Sequence, residues 1–321
     1  MDYSGLLPIN KPLGMTSKDV SRVILRKYGK LKIGHVGTLD PDADGVLTVL
    51  LGEATKFQDY LLEMRKTYEF SVKFGESTTT MDRTGDVVDR KSWSHLNADL
   101  IESHLNQFLG KINQIPPIYS AVKYQGRELY KYARQNEATE AEVLVPLNQL
   151  SREVEIYSLK LISYQSGIGN FEVNCSKGTY VRTLASDLAL KLETVGHVCK
   201  LRRTRSAGFS LNQCFELDSM ASSTEPINSF TVKINDIHIG LPIMKTDDKV
   251  LLRRIKDGQR INVPSQEFYS MLAHPKHDLV APNQFVLIED VQGNRMGIAE
   301  YRELNQEITL HLKRGLTWLP A

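Results

Sequence analysis

Gly34-His35-Val36-Gly37-Thr38-Leu39-Asp40-Pro41-Asp42-Ala43-Asp44-Gly45 sets one carboxylate, Asp40, among glycines and directly before a proline. Pro41 fixes its own φ and biases Asp40 away from the helical region, while Gly37 and Gly45 permit sharp turns and close approach of a ligand to the backbone. Such a loop holds a carboxylate rigidly at a surface. Asp40, Asp42, Asp44 and Gly45 also match the first half of a calcium-binding EF-hand loop. The second half fails, because Leu51 stands where the bidentate acid belongs and Glu53 comes too late to close the same shell. An Asp-Pro turn between a strand and an apolar segment is the plain alternative.

Outward from this loop the periodicity alternates between helix and strand. Val20, Val23, Ile24 and Tyr28 fall at helical spacing behind Thr16 or Ser17 as cap, with Gly29 placed to end the helix. Asn97 caps a second expected helix carrying Leu100, Ile101, Leu105 and Phe108 towards a stop at Gly110. A third is expected from about Tyr180 to Val195, its apolar stripe formed by Val181, Leu184, Ala185, Leu188, Leu192 and Val195. Arg182 lies off that stripe, which leaves its guanidinium free to face a ligand or carboxylate. Residues 68–74 and 171–175 alternate as half-buried strands do. Ser222-Ser223-Thr224-Glu225-Pro226 reads as part of a linker over 219–231. Beyond it, residues 285–291 and 295–299 around Gln292-Gly293-Asn294 read as a β-hairpin.

With 321 residues, the chain predicts one large domain and a smaller one. A hydrophobic fraction of 41% and a charged fraction of 24% are ordinary globular values. No apolar run approaches the roughly 20 residues that span a bilayer, and the N-terminus has no basic segment leading into an apolar one, so a cytoplasmic protein without membrane contact is expected. Three cysteines, Cys175, Cys199 and Cys214, are too few and too scattered for a disulfide framework or a zinc site. A net charge of +2 announces no nucleic-acid partner, but Lys200, Arg202, Arg203 and Arg205 cluster, as do Arg253, Arg254 and Lys256. On its own, each cluster reads more readily as a solvated face.

Five segments occur in a family's order: Asn10-Lys11-Pro12-Leu13-Gly14-Met15-Thr16-Ser17-Lys18-Asp19-Val20, the Asp40 loop, Pro116-Pro117-Ile118-Tyr119-Ser120-Ala121-Val122-Lys123, Gly178-Thr179-Tyr180-Val181-Arg182-Thr183-Leu184, and Leu201-Arg202-Arg203-Thr204-Arg205-Ser206. Together they resemble the bacterial tRNA pseudouridine synthase B family. The resemblance implies an α+β fold: a pseudouridine synthase-like mixed sheet with flanking helices over residues 1–218 and an RNA-gripping insertion at about 123–150. The 219–231 linker then leads to a small β-rich domain at 232–321 that resembles a PUA-type RNA-binding module.

The implied activity is isomerisation of the uridine conventionally numbered 55 in the TΨC loop of tRNA. The family's catalytic nucleophile maps onto Asp40, with Arg182 as its partner. Tyr68 and Tyr180 would flank the extruded base, Leu201 would form an apolar wall, and His35 would fill or contact the vacated space. Base stacking of this kind contributes about 1–3 kcal/mol per base, enough to offset much of the extrusion cost but too little to account for catalysis. Candidate RNA contacts are Lys11, Lys123, Arg127, Arg202, Arg203 and Arg205. The expected partner is the T arm of tRNA, with no cofactor, metal or obligatory protein partner. Three rival readings are a guide-RNA-dependent pseudouridine synthase, a noncatalytic tRNA-binding chaperone, and a carboxylate-dependent glycoside hydrolase using Asp42 or Asp44 as second acid.

Overall fold

Thr16 sets the first helix, Ser17–Tyr28: its hydroxyl accepts from Asp19 N and the Asp19 carboxylate accepts from Thr16 N, a reciprocal capping box. Gly29 ends it at φ +87°, a conformation that favours glycine. The computed structural model describes residues 4–139, 145–236, 239–273 and 285–316, the side chains of 135–139 excepted. Packing divides the chain into two units, one formed by Met1–Asp40, Val46–Arg65 and Ser206–Ala321, the other by Pro41–Gly45 and Lys66–Arg205.

In the first unit the strand Gly5–Lys11 pairs in parallel with Phe215–Glu216 and antiparallel with Val232–Lys233. Ile33–Val36 runs antiparallel to the strand Asp44–Leu51, with His35 opposite Val49. A separate six-stranded sheet has the order Ile261–Pro264, Glu307–Gly315, Arg295–Leu304, Phe285–Asp290, Ile243–Thr246, Leu272–Ala273. The expected hairpin is present, and a second one follows it through Asn305 and Gln306, both at positive φ as a two-residue turn requires.

The 219–231 segment is not an extended linker. Met220 and Ile227 are buried, a helix covers Leu217–Ser222, and Phe230 packs edge-on against Phe215. Lys27 donates to the carbonyls of Ala221 (2.7 Å) and Ser223, which fixes the serine-rich stretch to the first helix. Ile239, Leu287 and Ile298 of the C-terminal part share one apolar core with Leu6, Val36, Leu50, Phe57 and Phe209. Full burial of each such side chain contributes about 1.5–3 kcal/mol, so the C-terminal sheet is held by hydrophobic burial rather than tethered.

The second unit is built on antiparallel strands in the order Gly196–Ser206, Lys66–Phe74, Ile168–Cys175, Arg152–Gln165, Gly110–Gln114. Arg202 and Arg203 also pair in parallel with Asp44 and Gly45, which makes the pairing mixed. Asn97 caps the helix Ala98–Leu105 by accepting from Leu100 N at 2.9 Å, and a 3₁₀ turn carries the chain to Phe108. The helix Val181–Lys191 buries Leu184, Ala185 and Leu188 as expected but stops before Val195. Glu193 turns to φ +59° there, so Val195 reaches the core after that turn, just before the strand that starts at Gly196. The segment expected as an RNA-gripping insertion begins with a hairpin, Lys123–Tyr124 against Arg127–Glu128, and continues as the helix Leu129–Thr139. Among the described residues, no helix is long and apolar enough to cross a membrane.

Candidate active site

Ser17, the first residue of its helix, is buried, and its hydroxyl reaches the residue before Asp40. It accepts from Leu39 N at 2.9 Å and donates to Leu39 O at 3.2 Å. One side chain thus fixes both backbone groups preceding the carboxylate, while Leu39 is itself buried. Asp40 is half-buried, and Gly37 takes φ +68° three residues earlier. His35 Nε2 lies 3.5 Å from Thr38 Oγ1, at the outer limit of a hydrogen bond.

Lys11, a candidate RNA contact in the sequence, has no exposed surface. Its ammonium donates to the carbonyls of Pro12 (2.9 Å) and Met15 (2.6 Å). Those carbonyls lie in a turn with no ladder to accept from, so the buried charge stabilises the 11–17 loop instead of meeting phosphate.

Asp42 and Asp44 have separate partners in the second unit. Arg83 holds Asp42 through Nε (2.9 and 3.0 Å) and Nη2 (2.7 Å), and Arg202 holds Asp44 through Nε (3.0 and 3.1 Å) and Nη2 (2.5 Å). The two carboxylates converge on different guanidiniums, not on a shared cation, and neither is presented as a second acid. Gly45 sits at φ +104°, where a Cβ would lie 2.2 Å from Arg203 O. Only glycine lets the two strands meet there.

The basic run after Lys200 is sorted by the strand's alternation. Arg202 and Arg205 are exposed, whereas Arg203 is only 1% exposed. Arg203 is therefore not a surface RNA contact; it lies opposite Tyr68 in the ladder, as Leu201 lies opposite Phe70. Side chains two apart on a strand share a face, so Tyr68, Phe70, Leu201 and Arg203 line one side of the sheet. Phe171, directly opposite Phe70 on the neighbouring strand, stacks on it at 5.2 Å on the same face. Lys123 and Arg127 are exposed on the insertion hairpin, and the Arg127 guanidinium lies 4.9 Å from the Tyr132 ring.

Arg182 is buried, not free. It donates to Thr80 O (2.9 Å), Tyr119 O (2.9 Å) and Asp82 Oδ2 (3.3 Å). The Asp82 carboxylate also accepts from Thr80 Oγ1 (2.7 Å), Thr84 N (3.0 Å) and Thr84 Oγ1 (2.6 Å). Tyr180, half-buried at the start of the same helix, is bracketed by the Gln114 amide, which accepts from Tyr180 N at 2.9 Å and donates to Tyr180 O at 3.3 Å. Tyr68, Tyr180, Arg182 and Leu201 thus lie in one unit, and His35 and Asp40 in the other. Burial pushes the Cys175 thiol up to about 11, which leaves it inert as a nucleophile at neutral pH.

Residues 25–181 match the family model described as TruB family pseudouridylate synthase (N terminal domain), and residues 182–229 match that of the tRNA pseudouridylate synthase B C-terminal domain. The tRNA pseudouridine synthase B of Staphylococcus epidermidis is 41% identical over 268 residues, 81% of this chain and 86% of the relative. That of Caldanaerobacter subterraneus subsp. tengcongensis is 40% identical over 265 residues, 81% of this chain and 87% of the relative. The chain belongs to the TruB family.

Among solved structures, a Cbf5-Nop10-Gar1 complex contains a chain that superposes with a TM-score of 0.71 at 22% identity, covering 97% of this chain and 84% of that one. This likeness concerns the fold alone. Within the TruB-family chain, sequence reading missed Asp82, Gln114 and the role of Ser17. The run Thr78-Thr79-Thr80-Met81-Asp82-Arg83-Thr84-Gly85 carries a signal for Asp82, since threonines and an acid before glycine favour a side-chain-bonded turn. Gln114 carries none, because its burial follows from strand pairing.

Proposed function

We infer that this chain is a tRNA pseudouridine synthase that isomerises a uridine in folded tRNA, and we propose the uridine conventionally numbered 55, in the T arm, as its target. The observation that carries the activity is family membership across most of the chain, with Asp40 inside the matched span. Substrate and product have the same composition. The N1–C1′ bond breaks, a C5–C1′ bond forms, and the proton leaving C5 is balanced by one gained at N1, so the stoichiometry calls for no redox partner.

Asp40 supplies the nucleophile, on a backbone that Ser17 holds at Leu39. Tyr68, Tyr180 and Leu201 receive the extruded base, and His35 takes up the space it leaves. Residues 232–321 and the exposed Lys123, Arg127, Arg202 and Arg205 supply phosphate contacts that position the RNA without reading its sequence. The engagement of Asp42 and Asp44 with arginines supports this reading over a glycoside hydrolase, which needs a second acid at the scissile bond.

The test is to map pseudouridine in unmodified tRNA incubated with the full chain and no guide RNA. Asp40→Asn should abolish isomerisation while tRNA binding persists, and a chelator should leave the wild-type rate unchanged. Turnover by the Asn variant would remove Asp40 from the nucleophile role, and activity only with an added guide RNA would favour the guide-dependent rival.

A further inference from the structure

Arg152 opens the strand Arg152–Gln165 directly opposite Gln114. Both residues hold Tyr180: Gln114 brackets its backbone, and the Arg152 guanidinium lies 4.7 Å from its ring centroid. A cation over an aromatic face is attracted by the ring quadrupole, which limits the ring's freedom. The rest of the guanidinium is unaccounted for. Its Nε and Nη2 are buried and make no hydrogen bond among the described residues.

These two nitrogens form one edge of the guanidinium, with N–H bonds pointing the same way. That edge is the fork that grips a phosphate or carboxylate with two parallel hydrogen bonds. A buried donor left unmet lowers stability, and a charged one more so. Arg182, Arg83 and Arg202 each have a carboxylate in this structure, whereas the Arg152 fork has no acceptor among the described residues.

We propose that Arg152 is a positioning residue that couples the RNA backbone to Tyr180, its guanidinium face bracing the ring and its Nε/Nη2 edge taking a backbone phosphate of the bound RNA. This rests on the reading of the chain as a tRNA pseudouridine synthase. Phosphate is the anionic acceptor the substrate can bring, since RNA carries one per nucleotide and no carboxylate. The fork is covered in the RNA-free chain, so engagement turns the guanidinium on its flexible stem. The stacked Tyr180 ring responds to that turn, so a backbone contact is transmitted to a residue that flanks the base.

The experiment measures tRNA affinity across a salt series, together with single-turnover rates at saturating enzyme, for the full-length wild type, Arg152→Met and Arg152→Lys. Arg152→Met keeps an unbranched stem and loses charge and fork. Losing one phosphate contact should lower the slope of log affinity against log salt by about 0.7 to 0.9, and the saturated rate should fall as well, because Tyr180 loses its brace. Arg152→Lys should keep the slope, since an ammonium still meets a phosphate, yet bind about tenfold more weakly and react more slowly, having neither fork nor planar face.

An unchanged slope in Arg152→Met overturns the phosphate contact. If that variant does not fold, Arg152→Lys decides alone, and wild-type affinity and rate with lysine would overturn the proposal. The parent reading fails separately, by an absence of isomerisation in the wild type, and the salt slopes are read from binding whether or not turnover occurs.

Discussion

In the segment Pro41–Gly45, Asp42 and Asp44 meet Arg83 and Arg202 with about half of each arginine side chain in solvent, at 50% and 49% exposure. In residues 78–85, Asp82 meets Arg182 with the two side chains only 12% and 6% exposed. The first two pairs are bidentate and short, while the third is a single contact at 3.3 Å. Yet the longer one is embedded in a network where the Thr80 and Thr84 hydroxyls and Thr84 N donate to Asp82 and the carbonyls of Thr80 and Tyr119 accept from Arg182. Distance alone therefore ranks the pairs wrongly. Burial decides, because removing one partner of a dry pair leaves a charge that water cannot reach.

The largest effect is expected where that dry network is cut. Asp82→Asn should destabilise the chain by about 3–5 kcal/mol in urea unfolding, by removing a buried anion from beside the Arg182 cation. Turnover should fall with it, because Arg182 also holds the Tyr119 and Thr80 carbonyls near the start of the helix that Tyr180 precedes. Arg182→Lys keeps the charge but loses the planar fork that serves three acceptors, so its turnover should also be impaired. Wild-type stability in Asp82→Asn would show that burial is not what separates the two kinds of pair.

A smaller effect tests burial without a cation. Asp187 lies on the same helix as Arg182, and burial raises its carboxyl from 3.8 to about 6 with no guanidinium among the causes. The folded chain therefore holds that proton more tightly than the unfolded chain does. The stability that comes with the bound proton is fully present below about pH 4 and is lost as pH rises through about 6. Asp187→Asn should be more stable than wild type by on the order of 1 kcal/mol at pH 7.5, after discounting for partial exposure, and should match it at pH 4. Melting curves at the two pH values check this, and a stabilisation that grows towards acid would have the wrong sign.

The same contrast explains what the sequence disclosed. The Asp40 loop was legible because its constraints are local: a proline after the acid and glycines at Gly37 and Gly45, both at positive φ. The helix caps Thr16 and Asn97 were legible for the same reason. Asp82 and Arg182 are 100 residues apart, so neither reveals the other before the sheet is built, and Arg182 read as a free first-turn arginine. Arg203 and Lys11 read as surface charge because cation counts carry no information about which face a strand buries or which carbonyls a turn leaves unpaired. The serine-rich 219–231 stretch read as a linker because its partners, Lys27 and Tyr28, lie nearly 200 residues earlier.

The smallest effects belong to the surface pairs, and they sharpen the comparison through salt. Arg83→Gln and Arg202→Gln each remove a short bidentate contact, which on geometry alone should hurt more than the loss of Asp82. Solvent at the guanidiniums screens the attraction and rehydrates the carboxylate left behind, so each should lower stability by only about 0.2–1 kcal/mol. At roughly 1 M salt the Debye length falls to about 3 Å, and the differences should shrink towards zero, while the Asp82→Asn loss persists because ions cannot enter its site. Arg202 adds one distinction. Its strand carries Leu201 and Arg203 on the opposite face, and Asp44 leads directly into Gly45, whose close approach to Arg203 does not depend on the ion pair. Arg202→Gln should consequently leave the saturated turnover rate near wild type while weakening tRNA binding at low salt, through loss of an exposed cation. If its stability loss were instead large and salt-independent, the Asp44 pair would belong with Asp82 and Arg182, and solvent exposure would not be what sets the two regions apart.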